Sequence, residues 1–174
     1  GTVDFDPGAG TANLTSNGSH DVFVWKLDSS GDLVWAKNFG GTESDKGNSV
    51  AVDSSGNVYT TGDFQGTVDF DPGAGTANLT SNGGRDVFVS KLDSSGNYLW
   101  AKSWGGGGDI NDDDMGQEVA VDSSGNVYTT GAFRHTVDFD PDPSETAELT
   151  TNGSGANSDA VSYTHLTLPT NREV

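Results

Sequence analysis

TVDFDPGAGTANLTSNG occupies residues 2–18 and returns letter for letter at residues 67–83, 65 positions on; its opening, TVDFDP, returns once more at residues 136–141. The second interval is 69, and the four extra residues fall where GGTESDKG (40–47) becomes GGGGDINDDDMG (105–116). The insertion therefore sits in a Gly-rich connection, the place where repeat architectures accept added length. A second shared block, VAVDSSGNVYTTG, stands at residues 50–62 and again at 119–131, an interval of 69 as the insertion requires. A long fixed period means that each repeat is one supersecondary unit, unable to bury its apolar surface without a neighbour.

Within a unit the pattern reads as four short strands. The first is SVAVD (49–53), and the second starts as NVYTTGDF (57–64) and runs on through TVDFD with a break at Gly66. The third and fourth are DVFVSKLD (86–93) and NYLWAKSW (97–104). Asp-Ser-Ser-Gly stands between strands at residues 28–31, 53–56, 93–96 and 122–125. This is turn chemistry: the Asp carboxylate accepts from backbone N–H groups just ahead, and Gly supplies the positive φ that closes a short hairpin. The strands are apolar on both faces, since Val22 and Val24 alternate with Phe23 and Trp25 and Leu33 and Trp35 alternate with Val34 and Ala36. A sheet of that kind needs cover on both sides, which a blade between two blades has and the outer layer of a sandwich lacks.

With these stretches laid out, the chain resembles the seven-bladed β-propeller repeat family (SBBP repeats) of bacterial secreted and surface proteins. The resemblance rests on the Asp-x-x-Gly-Asn turn followed by VYxxG and on the WAKxxGG end of the fourth strand, and it covers roughly residues 1–160. It implies an all-β fold: a β-propeller fragment of four-stranded antiparallel blades, about two to two and a half of them in an open arc. The expected division is a partial blade of later strands at 1–47, a complete blade at 48–104, the inserted acidic Gly-rich loop at 105–116 and a partial blade of early strands at 117–160. Residues 161–174, AVSYTHLTLPTNREV from Ala160 on, depart from the repeat and resemble the translated sequencing-adapter ends of metagenomic assemblies; a divergent terminal strand is the other reading. The resemblance also implies a secreted or cell-surface location, and carries no catalytic residues.

Composition narrows the function classes. With 26 acidic residues against 8 basic ones the net charge is −18, which repels nucleic-acid phosphates and anionic lipid; nucleic acid is excluded as a partner. No apolar run approaches the ~18 residues a spanning helix needs, so membrane insertion is not expected. Without cysteine there is no disulfide framework and no thiolate metal site. The chain opens at Gly1 and is expected to be a piece of a longer one. Taken alone, with open sheet faces at both ends, it is expected to be marginally stable or self-associating.

The densest acidic cluster is Asp109, Asp112, Asp113 and Asp114, flanked by Asn111 and Glu118. It is a candidate calcium site, although it fails the helix-loop-helix pattern: counted from Asp109, Asp114 stands where Gly is required and Ala120 where Glu is required. The competing reading is a solvated acidic loop. The pairs Asp4/Asp6, Asp69/Asp71 and Asp138/Asp140 place two carboxylates on one face of an extended segment; either they hold a hard cation or they end a strand at a charged blade edge. His20 and His135 align with Arg85 and Gly66, His165 lies in the divergent tail, and no Ser-His-Asp set converges. Trp35/Trp100 and Phe39/Trp104 are either blade-to-blade core or, if exposed, a carbohydrate platform. The function these features imply is a non-catalytic surface scaffold, adhesion or protein-interaction module, with neighbouring blades and a protein or glycan at the cell surface as partners and no cofactor. The alternatives are a calcium-assisted lectin-like propeller and the accessory propeller of an enzyme whose catalytic part lies elsewhere.

Overall fold

A computed structural model describes residues 1–107, 112–140, 144–151 and the backbone of 159–162. All regular structure in them is β. The second unit is a complete four-stranded antiparallel sheet in the order β5 (Lys46–Val52), β6 (Val58–Asp69), β7 (Asn78–Leu92), β8 (Tyr98–Trp104). The first unit presents β3 (Val22–Leu27) paired with β4 (Leu33–Phe39), preceded by the small hairpin β1 (Thr2–Asp4) and β2 (Asn13–Thr15). The third presents β9 (Met115–Val121), β10 (Val127–Phe133) and β13 (Asp159–Ser162), with β11 (Thr136–Asp138) and β12 (Glu148–Thr150) as its own small hairpin.

The strand bounds differ from the sequence pattern in detail: β7 begins at Asn78, ahead of the expected Asp86. The first strand of the complete blade starts at Lys46, three residues before Ser49, because a bulge between Gly47 and Ser49 lets the chain keep pairing as far as Lys46 opposite Asp63. The break at Gly66 is also a bulge. Gly66 takes φ 74° and shifts the register between Gln65 and Thr67, after which β6 and β7 go on pairing out to Asp69 opposite Asn78. At the far end, β13 runs across the 160/161 position where the tail was expected to begin, and pairs with β10 through Ser162 opposite Thr130. Residues 163–174, His165 among them, lie outside the described residues.

The Asp-Ser-Ser-Gly segments close the hairpins as their chemistry dictates. In each, Asp Oδ1 accepts from the N–H two and four residues on; at Asp53 the donors are Ser55 and Asn57, both at 2.9 Å. The fourth residue, Gly56 in this turn, carries φ 81° and donates to the Asp53 carbonyl at 2.9 Å. The same bonds recur at Asp28, Asp93 and Asp122.

The units stack face to face, and each interface has its own core. Between the first and second, Val22, Val24 and Phe39 meet Phe64, Phe70 and Phe88, with Phe39 edge-on to Phe88 at 5.7 Å between ring centroids. Between the second and third, Tyr59 and Val89 meet Val119 and Val127. Val58 and Tyr59 are adjacent in sequence yet belong to opposite cores, as do Phe88 and Val89. The period-2 alternation of a strand thus feeds two interfaces, and each fully buried large side chain contributes about 1.5–3 kcal/mol. Polar links add to the first interface: Lys26 Nζ (2.8 Å) and Trp35 Nε1 (3.1 Å) both donate to the carbonyl of Ser94, in the turn of the next blade. The outer face of the first unit is open, with Phe23 55% and Trp25 43% exposed.

Candidate functional site

The Gly-rich connections between blades hold two buried carboxylates. Asp114 is buried, and both its oxygens are engaged by backbone: Oδ1 accepts from Arg134 N–H at 2.7 Å and Oδ2 from Gly106 N–H at 2.8 Å. Its own N–H donates to the carbonyl of Arg85 at 2.8 Å. Asp45, 69 positions earlier, does the same work: Oδ1 accepts from Gln65, Oδ2 from Gly41, and its N–H donates to the His20 carbonyl. Each of these aspartates clasps the end of one blade's connection, the third strand of that blade and the second strand of the next. Burial pushes both carboxyls above their ordinary pKa, against the lowering effect of the amides.

Of the four acidic candidates, Asp114 is thereby a blade clasp and Asp109 lies outside the described residues. Asp112 Oδ2 stands 3.1 Å from His135 Nδ1, and Asp113 is half-buried, its like charge raising the Asp114 carboxyl further. Among the described residues no group of three or more histidine or acidic side chains is arranged to hold a metal ion. The Asp-x-Asp pairs staple their own turns. Asp4 Oδ1 accepts from Asp6 and Ala12, Asp69 Oδ1 from Asp71 and Ala77, and Asp138 Oδ1 from Asp140 and Ala147. These backbone bonds hold the Asp4 and Asp138 carboxyls below the usual range.

His20 contacts Ser19 Oγ at 3.0 Å and Ser44 Oγ at 3.4 Å on the surface. His135 holds φ 57° where the preceding unit has Gly66. Of the aromatics, Phe39 is buried core, while Trp35 and Trp100 are half-buried against the two interfaces, Trp100 edge-on to Tyr59 at 6.1 Å.

One polar network belongs to the second blade alone. Arg85 is ion-paired with Asp63, which is 2% exposed, and Asn48 Nδ2 bridges Asp63 Oδ1 (3.2 Å) and the Gly116 carbonyl of the third unit (2.7 Å). The positions equivalent to Arg85, Asp63 and Asn48 hold His20, Ala132 and Gln117 in neighbouring units. Arg85, Asn48 and Asp45 line one end of a groove of about 820 Å³, whose walls are β3 and β5. The sequence reading passed over both Asp45 and this network. The clasp left only a bare trace, Asp-x-Gly at the end of both connections (Asp45 to Gly47, Asp114 to Gly116), four residues behind the Gly-Gly pair in one and eight behind it in the other; the network left none, since it is built from positions where the repeat is broken.

One complete four-stranded antiparallel unit stacked face to face with a partial unit on either side is the arrangement of a propeller-type repeat fold. Residues 34–63, from β4 of the first unit through the first half of β6, match the family model described as beta-propeller repeat, which bears out the resemblance read from the motifs. Over 114 residues (66% of this chain) the sequence is 31% identical to the regulatory protein FlaEY of Caulobacter vibrioides, of which it covers 12%. Over 115 residues (58% of this chain) it is 28% identical to an uncharacterized WD repeat-containing protein of Acanthamoeba polyphaga mimivirus, of which it covers 8%. The chain spans about a tenth of the length of these curated relatives.

Proposed function

We propose that this chain is a non-catalytic interaction module of an exported bacterial protein, a run of blades that presents loops and a groove to a protein partner at the cell surface. One observation carries the reading: the buried carboxylates at the blade junctions, Asp45 and Asp114, have both oxygens engaged by backbone amides in holding blades together. The match to a propeller repeat supports an interaction or scaffold role, as do the names of the relatives, a regulatory protein and a WD repeat-containing protein. The test is the intact reading frame followed by protease shaving of cells that express it. An export signal ahead of further units, with the repeats cleaved on whole cells, is the expected result. Retention in the cytoplasm, or a fused catalytic domain with acid, base or metal ligands in the remaining blades, would overturn it.

A further inference from the structure

The two joints between units share a clasp but differ in the carboxylate beneath it. At the first joint Gly40 packs on Asp21, which accepts from Asn17 N–H and from the side-chain amide of Asn38. At the second, Gly105 packs on Asp86, where a Cβ would run into the carboxylate, and the next residue, Gly106, donates to Asp114. Asp86 is 1% exposed; Oδ2 accepts from Asn82 N–H, and Oδ1 is buried without a donor because Ser103 holds the place of Asn38. The charges around it offer no relief. Asp114 faces it from the connection, with Asp112 and Asp113 behind. Arg85, the preceding residue of β7, is turned to Asp63 of β6. From the third unit, Arg134 gives its backbone N–H to Asp114 and keeps a buried, unpaired Nε, while His135 stands on Asp112.

We propose that Asp86 is a proton-operated catch on the joint between the second and third units: protonated, it lets the Gly105–Gly106 connection lie closed over it, and ionised, it drives that connection off while the joint between the first and second units stays shut. A buried carboxylate with an oxygen left unpaired is far costlier than the neutral carboxyl, and opening the connection returns it to water. In the closed joint burial, with the Asp114 charge added, holds the carboxyl at about 7; in the open joint it falls back toward its ordinary 3.8. The closed joint therefore has its full stability below 3.8, loses it as pH rises, and has lost it once pH passes about 7. Asp45 and Asp114 are both pushed upward by burial, so they act in the same direction at the two joints. The missing amide at Ser103 is what sets the second joint apart.

Amide exchange on the full chain, corrected for the intrinsic rate at each pH, reads the two joints side by side. The N–H groups of Gly106 and Arg134 report the second joint, and those of Gly41 and Gln65 the first. The expected result is protection at Gly106 and Arg134 that falls about tenfold or more, relative to Gly41 and Gln65, between about pH 5 and about pH 8. Asp86→Asn keeps an acceptor for Asn82 and places an amide where the proton sat, so it should abolish the difference between the joints. Ser103→Asn, which leaves the carboxyl in place and supplies the donor that Asn38 gives Asp21, should shrink it even if the first variant does not fold. His135→Gly, which restores the residue of the preceding unit and removes the imidazole on Asp112, should leave the difference intact. A difference that persists in Asp86→Asn or vanishes in His135→Gly overturns the proposal. So do two joints that lose protection together, and protection that rises with pH at the second joint, as capture of ionised Asp86 by Arg134 would produce.

Discussion

Asp21 and Asp86 are the same letter of the repeat in different circumstances. The carboxylate of Asp21 accepts from Asn17 N–H and from the side-chain amide of Asn38 at 3.2 Å. Asp86 keeps the first bond, from Asn82 at 3.1 Å, but Ser103 stands where Asn38 stood, and Asp86 Oδ1 is buried without a partner. Burial, with the Asp114 charge adding to it, pushes the Asp86 carboxyl up from 3.8 to about 7. Folded Asp86 therefore holds its proton over a range in which the unfolded residue has lost it. The stability it contributes is complete below 3.8 and is lost as pH rises through about 7. Ser103→Asn should return the missing donor, lower that pKa and stabilise the chain by about 1 kcal/mol, more at about pH 8 than at about pH 5. Urea denaturation at the two pH values checks this; an equal effect at both would show that the new amide does not reach the carboxylate.

At the scale of elements, strands and turns are held in place by carboxylates that the repeat positions identically in successive units. Asp45→Ala and Asp114→Ala should each orphan two backbone N–H groups and cost about 2–4 kcal/mol, similarly at the two sites. Thermal melts with and without a chelator check both this and the ionic alternative, the expectation being that chelation shifts neither the parent nor the variants. Hairpin turns and the double-faced apolar pattern were legible because local chemistry decides them: Gly56 needs positive φ, and Val58 and Tyr59 must face opposite ways whatever surrounds them. The clasp was not legible, because Asp114 looks like one more member of an acidic run until Gly106 and Arg134 fold onto it from either side. Nor was the bulge that starts β5 at Lys46, which depends on the partner strand rather than on the residues themselves.

For the whole molecule, a net charge of −18 acts against a stack whose interfaces are apolar and whose junction aspartates are buried. Surface self-repulsion falls when salt shortens its range, so the melting temperature should rise by about 2–4 °C between low and high sodium chloride, equivalent to roughly 1 kcal/mol. Calorimetry across salt concentration checks this, and a flat response would place the repulsion in the unfolded chain as well. Stability in such a stack resides in contacts between adjacent units.

The bonds from Lys26 and Trp35 to the carbonyl of Ser94 are made by letters that the first two units share. Lys91 and Trp100 repeat the donors one unit later, and Ser29 repeats the acceptor one unit earlier. A unit is thus plug on one side and socket on the other, so a tandem duplication of its coding segment arrives with both joints already cut, and recombination can lengthen or shorten the array without any new surface having to evolve.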